Sequence, residues 1–213
     1  MALFTAERDV REYRLSEFSN ILYEYLLVIS PDQKLLTALS QIKNQFQSLY
    51  GCEYSASLIP HITLINFVQL ERNMEKVVDY FGRFSKRVNP FEVQLCGFGG
   101  FANHTIFANV ATKRPIVKIV EDMQTKFSGL LQPLKHSAPH FIFNPHITIA
   151  RKMSENQYNN AWEEWHNKEF NAIFEVSEMI LLKRKITGGK CETVAKFKFE
   201  GNGAFEEQGI IPF

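Results

Sequence analysis

The tetrapeptide Pro-His-Ile-Thr occurs twice, at 60–63 and at 145–148, and no other feature of the chain restricts its fold so strongly. Its histidines, His61 and His146, stand 85 positions apart. Two further landmarks keep nearly that offset. Pro31 and Pro115, each opening a helix-like stretch, are 84 apart, and Phe-Glu-Val recurs from Phe91 and from Phe174, 83 apart. Three landmarks at almost one period argue for an internal duplication, which one stray repeated peptide would not.

The hydrophobic pattern supports the same division. Tyr25 to Ile29 is a short apolar run stopped by Ser30-Pro31, as a buried strand would be, with the proline expected in the first turn of the next helix. Over 32–49 the apolar residues Leu35, Leu36, Leu39, Ile42, Phe46 and Leu49 recur at helical spacing. The pattern then predicts a strand over 58–67, a helix over 71–87 and a strand over 91–95. The second half predicts strands at 105–110, 141–150 and 174–182, with helices at 115–131 and 155–165 between them. Gly188-Gly189 marks a hairpin before a closing strand at about 191–200. The expectation is an α+β fold in one bilobal unit, with repeat halves at about 21–101 and 104–186. Two small, mainly antiparallel sheets backed by helices would flank a central cleft carrying the repeated motifs.

Composition bounds the chemistry. With 45% hydrophobic and 22% charged residues, the chain can bury a core without disulfides or metals. A formal net charge of +1 provides no long-range field, so an anionic ligand must be gripped locally. Cys52, Cys96 and Cys191 are odd in number and form no CxxC, which argues against a disulfide framework or thiolate zinc site and for a reducing compartment. Charges at Glu7, Arg8, Asp9 and Arg11 interrupt any apolar leader, and no apolar run approaches the roughly 18–20 residues that span a bilayer. A cytoplasmic monomer without membrane association is expected.

In a strand, residues two apart share a face, so His61 lies with Thr63 and His146 with Thr148. If the halves face each other, two imidazoles and two hydroxyls converge. That set suits phosphodiester cleavage: a neutral imidazole takes a proton from the attacking oxygen, an imidazolium gives one to the departing oxygen, and the threonines donate to nonbridging oxygens.

These paired motifs, His61-Ile62-Thr63-Leu64 and His146-Ile147-Thr148-Ile149, resemble those of the 2H phosphoesterases, the group containing bacterial 2′-5′ RNA ligase-like proteins and cyclic phosphodiesterases. The resemblance runs from about residue 23 to 199. It implies hydrolysis of a 2′,3′-cyclic phosphate, on an RNA end or a nucleotide, or of another 2′-linked phosphodiester, without a metal or other cofactor, with His61, Thr63, His146 and Thr148 as the catalytic set. Arg151 stands at the place of the family's extended second motif, whereas Asn66 holds the corresponding position of the first, so a cationic grip is expected on one side alone. Ligation through a 2′-5′ bond and a noncatalytic RNA- or nucleotide-binding role are the alternative readings.

Phe98 and Phe101, in Cys-Gly-Phe-Gly-Gly-Phe, are candidates for stacking on a nucleobase. Lys183, Arg184 and Lys185 could line an RNA path or solvate a sheet edge. His136, His140 and His146 invite a metal, but Pro139 breaks a shared helical face and no carboxylate-histidine motif accompanies them, so none is expected.

Overall fold

The computed structural model describes residues 21–127 and 138–202. Nine strands are present among them: β1 (Leu22–Ile29), β2 (Ile62–Leu70), β3 (Phe91–Phe101), β4 (Thr105–Val110), β5 (His140–Phe141), β6 (His146–Arg151), β7 (Asn171–Val176), β8 (Glu178–Lys185) and β9 (Glu192–Lys198). The helices are α1 (Gln33–Tyr50), the single turn α2 (Glu53–Ala56), α3 (Met74–Ser85), α4 (Arg114–Phe127) and α5 (Glu155–Trp165).

Local chemistry sets several boundaries. Asp32 caps α1, its carboxylate accepting from the Leu35 N–H at 2.8 Å, and Gly51 closes the helix in the left-handed region at φ 68°. Pro31 therefore lies just outside the helix and not in its first turn, because the aspartate takes the cap. Pro115 does lie in the first turn of α4. A capping box between Ser154 and Gln157 starts α5. The strand expected at 91–95 runs on to Phe101, because β4 pairs with it from Phe98↔Ala108 to Phe101↔Thr105 past a bulge at Gly97, φ 64°. The stretch 174–182 is two strands, broken at Ser177.

The order β7-β3-β4-β6-β2-β1-β8-β9, with β5 on β2, is one hydrogen-bonded antiparallel sheet. This corrects the expectation of two separate sheets. The two four-stranded arrays are joined at a single β2–β6 bridge, Ile62↔Ile147. Without it, β6 would leave an unpaired strand edge at the middle of the molecule, and β2 would be covered there only by β5. The outer ends also meet. β7 and β8 occupy distant places in the sheet order yet only Ser177 separates them, and one residue reaches about 3.5 Å, so the sheet folds back on itself.

The repeated peptides meet one another: Ile62 of one Pro-His-Ile-Thr pairs with Ile147 of the other, and the two Phe-Glu-Val segments pair as Phe91↔Val176, Glu92↔Glu175 and Val93↔Phe174. Helix packing crosses the seam. α1 and α2 contact β6, while α4 contacts β2. Phe46 of α1 lies 4.7 Å from the Trp165 ring of α5 under the β4–β6 side, and Phe67, Phe81 and Phe127 cluster under the other. The crossing of α1 sets residues of the first half against β6.

Candidate active site

Extending the antiparallel Ile62↔Ile147 register by one residue each way sets His61 across from Thr148 and Thr63 across from His146. Residues directly opposed have Cβ atoms about 5 Å apart and diagonal ones about 7–8 Å, so the histidines are diagonal neighbours at the seam. All four line one cleft of about 210 Å³. That is below the roughly 300–1,000 Å³ of pockets that engulf a drug-sized ligand, so it suits a phosphate group with the rest of the ligand outside.

Both imidazoles are fixed in the same way. The His61 Nδ1 lies 2.8 Å from the Ile59 carbonyl, and the His146 Nδ1 2.8 Å from the Asn144 carbonyl. A proline, Pro60 or Pro145, separates each histidine from its acceptor and holds the preceding residue extended. A carbonyl only accepts, so each Nδ1 carries the proton and each Nε2 is the atom left to give or take one. The Phe101 and Phe107 rings lie 5.1 and 5.0 Å from the His146 ring and hold it further. Burial pushes both imidazoles below the usual histidine range, with the carbonyl bonds opposing it. At His61 the nearby Lys43 and Arg151 charges push further down, with a contribution from His146.

Each strand then bulges. Leu27 pairs with Ile65 but Val28 with Thr63, leaving Leu64 extra, and Ile106 pairs with Ala150 but Phe107 with Thr148, leaving Ile149 extra. The Ile142 N–H donates to the bulged Leu64 carbonyl at 2.9 Å. The extra residue shifts the alternation, so Asn66 and Arg151, each five past its histidine, return to the cleft face, while Leu64, Ile65, Ile149 and Ala150 are buried.

On the Arg151 side the Ser55 hydroxyl accepts from the Arg151 backbone N–H at 2.9 Å, and Tyr54 lies under the guanidinium, 5.0 Å from centroid to Cζ. Lys43 of α1 faces the same cleft although only 2% exposed, and donates to the Leu58 carbonyl. Burial and the Arg151 charge push its ammonium down to about 8. On the other side Asn66 donates to Glu24 at 2.9 Å and Arg184 pairs with the same carboxylate. Burial raises the Glu24 pKa, but the Arg184 and Asn66 bonds outweigh it and hold the carboxyl below its usual range.

Of the residues singled out from sequence, His61, Thr63, His146, Thr148 and Arg151 come together here. Phe98 does not. It is 6% exposed and packs on Trp165 at 4.9 Å and Phe170 at 5.5 Å, a core residue and not a base-stacking wall. Phe101 reaches the site only as a backing for His146. The Lys183-Arg184-Lys185 cluster is not a free basic track, since Lys183 pairs with Glu71 and Arg184 with Glu24. His140 lines the cleft, while His136 lies outside the described residues. Among the described residues no three His, Cys, Asp or Glu side chains are grouped to hold a metal ion, and no helix is long and apolar enough to cross a membrane. Sequence reasoning missed Lys43 and Glu24. Glu24 interrupts the apolar run of β1, and Lys43 falls on the apolar face of α1 with Leu35, Leu39 and Phe46, which are the signals the sequence offers.

A folded antiparallel sheet backed by helices, with two His-x-Thr strands at its seam, places the chain in the α+β class of LigT-like folds. E. coli LigT, solved with 3′-AMP, superposes at a TM-score of 0.58 over 84% of this chain and 98% of that one, at 14% identity. A Thermus thermophilus protein superposes at 0.57, covering 84% and 99%, at 16% identity. A predicted phosphoesterase of Bacillus licheniformis is 28% identical over 65% of this chain and 76% of its own length. Another, from Bacillus pumilus, is 26% identical over 65% and 75%. A family model described as the 2′-5′ RNA ligase superfamily matches residues 31–187, and the chain belongs to that family.

Proposed function

We propose that this chain is a phosphoesterase that opens 2′,3′-cyclic phosphates on RNA ends or nucleotides by two-histidine acid-base catalysis, with the two halves acting as one unit. The observation that carries this reading is the matched pair of imidazoles, each with Nδ1 held by a carbonyl and Nε2 left for chemistry, in one cleft with two threonines. The relatives described as predicted phosphoesterases and the LigT complexes with 3′-AMP and with phosphate support it. A 3′-phosphomonoester is one of the two products that opening such a ring yields.

Lys43 and Arg151 disfavour an imidazolium at His61, so His61 is the base and His146 the acid. His61 Nε2 takes a proton from water as its oxygen bonds to phosphorus. The bond from phosphorus to one ribose oxygen breaks, and His146 Nε2 protonates that oxygen. Thr63 and Thr148 donate to the nonbridging oxygens as charge develops. With the 5′-hydroxyl of a second RNA end in place of water, the same groups would join the two ends through a 2′-5′ bond, the activity that the family description names. His61 then takes the hydroxyl proton as the hydroxyl oxygen bonds to phosphorus, and His146 protonates the departing 3′ oxygen.

The test is turnover of a panel of 2′,3′-cyclic nucleotides and cyclic-phosphate RNA ends, with and without exhaustive chelation, with a ligation arm using paired ends. Phosphomonoester release that survives chelation is expected. No release from any member, or release restored only by added metal, overturns the reading.

A further inference from the structure

Lys43 lies in neither motif, yet its ammonium faces the cleft that holds both histidines and Arg151. Its hydrogen bond to the Leu58 carbonyl uses one of three donors. Among the described residues neither Lys43 nor Arg151 forms an ion pair, and the buried Arg151 Nε has no hydrogen-bond partner. Glu24, across the cleft, is bonded by Arg184 and Asn66 and also feels the Arg151 charge, so one carboxylate stands against the three cations Lys43, Arg151 and Arg184. Burying one cation without a counter-ion is disfavoured, and two on one wall more so. The missing partner is an anion, and two cations match two negative charges.

We infer that Lys43 and Arg151 form an anion subsite beside the two-histidine centre, built for a doubly charged phosphomonoester. This rests on the function proposed above, in which a singly charged cyclic diester becomes a doubly charged monoester. The subsite then favours the product end over the substrate, so the protein retains and recognises 2′- or 3′-phosphorylated ends and is inhibited by them.

The depressed Lys43 pKa supports this through its pH dependence. The titratable and charged groups that line the cleft with that ammonium are Arg151 on β6, His61 and His146 at the seam, His140 on β5, Glu24 on β1, Arg184 on β8 and Cys191, with Tyr54 of α2 against Arg151. The competing role for Lys43 is structural, tethering through Leu58 the loop whose Ile59 carbonyl orients His61.

The experiment uses sulfate, which stays a dianion from pH 6.5 to 9.5, titrated into the full chain and into Lys43→Met. In the unaltered chain, sulfate affinity should fall as pH rises through about 8. Lys43→Met should bind sulfate about tenfold or more weakly at pH 7, the worth of one charge-assisted bond, and lose that fall. It should melt no lower, because it removes a buried charge. The unaltered chain should also bind a 3′-nucleoside monophosphate more tightly than dimethyl phosphate. Unchanged sulfate affinity in Lys43→Met, or a lower melting temperature with unchanged affinity, would make Lys43 a tether and overturn the subsite. Equal affinity for monoester and diester would overturn its charge preference. If Lys43-dependent anion binding stands while no cyclic phosphate is turned over, the proposed function falls and the anion site remains. Turnover with sulfate binding indifferent to Lys43 means the reverse.

Discussion

His61 and His146 differ in surroundings although their sequence contexts match, and pH makes that difference measurable. Their folded-state pKa values are lowered, so below the unfolded value of about 6.5 the unfolded chain binds more protons and stability falls as pH falls. Urea unfolding between pH 7.5 and 5 should show this loss, and replacing both histidines by alanine should flatten it. Because the acid must be protonated in the free protein, kcat/KM should be bell-shaped with its centre below about 6.5, and a bound phosphate, which favours imidazolium, should shift the kcat profile upward. His61→Ala and His146→Ala should each lower turnover by roughly 10² to 10⁴-fold with little change in melting temperature. A large melting loss with modest rate loss would make them core residues.

At the scale of elements, glycines 99 and 100 act by allowing close approach. A Cβ on Gly99 would lie 2.5 Å from the Asn109 side-chain oxygen and 2.6 Å from Cε2 of Phe107, whose ring supports His146. A Cβ on Gly100 would lie 2.2 Å from the Tyr158 hydroxyl of α5, a side chain buried and stacked on Trp162. Gly99→Ala and Gly100→Ala should each cost about 1–3 kcal/mol in urea unfolding, as overpacking does. Only Gly99→Ala should also lower turnover in its folded form, because only it presses on a ring that holds His146. Equal turnover in both variants would remove Phe107 from the positioning of His146. Gly99 and Gly100 thus serve packing of β3 on β4 and α5, while Gly97 forms the bulge.

For the whole molecule, the near-zero net charge gives no long-range pull and Lys183 and Arg184 are paired internally, so the cleft acts, among the described residues, as a local anion grip. Each phosphate contact to single-stranded nucleic acid contributes about −0.7 to the slope of log affinity against log salt, so a grip of two cations gives about −1 to −2. Measured affinity for a cyclic-phosphate RNA end across a salt series should show that slope. A value steeper than about −3 would mean a longer basic track than the described residues present.

The sequence by itself determined the type of most long elements and the pair of His-x-Thr strands, because alternation and helical spacing are local properties that burial then enforces, but not the break of 141–150 into β5 and β6. Helical spacing placed α1 and α5 within a residue or two, and the caps that close them, Asp32 and Ser154, are equally local. Three things were settled only by the tertiary structure. The joining of two arrays into one folded sheet depends on a single backbone bridge, Ile62↔Ile147, which no side-chain pattern encodes. The return of Arg151 and Asn66 to the cleft depends on the bulges at Ile149 and Leu64. In an unbroken strand, residues five apart from a histidine face away from it, and the only trace in sequence is a pair of adjacent apolar residues before each. The presence of Lys43 beside Arg151 depends on α1 crossing the seam onto β6, a contact between residues more than a hundred positions apart, where a local pattern shows no more than a polar residue on an apolar face.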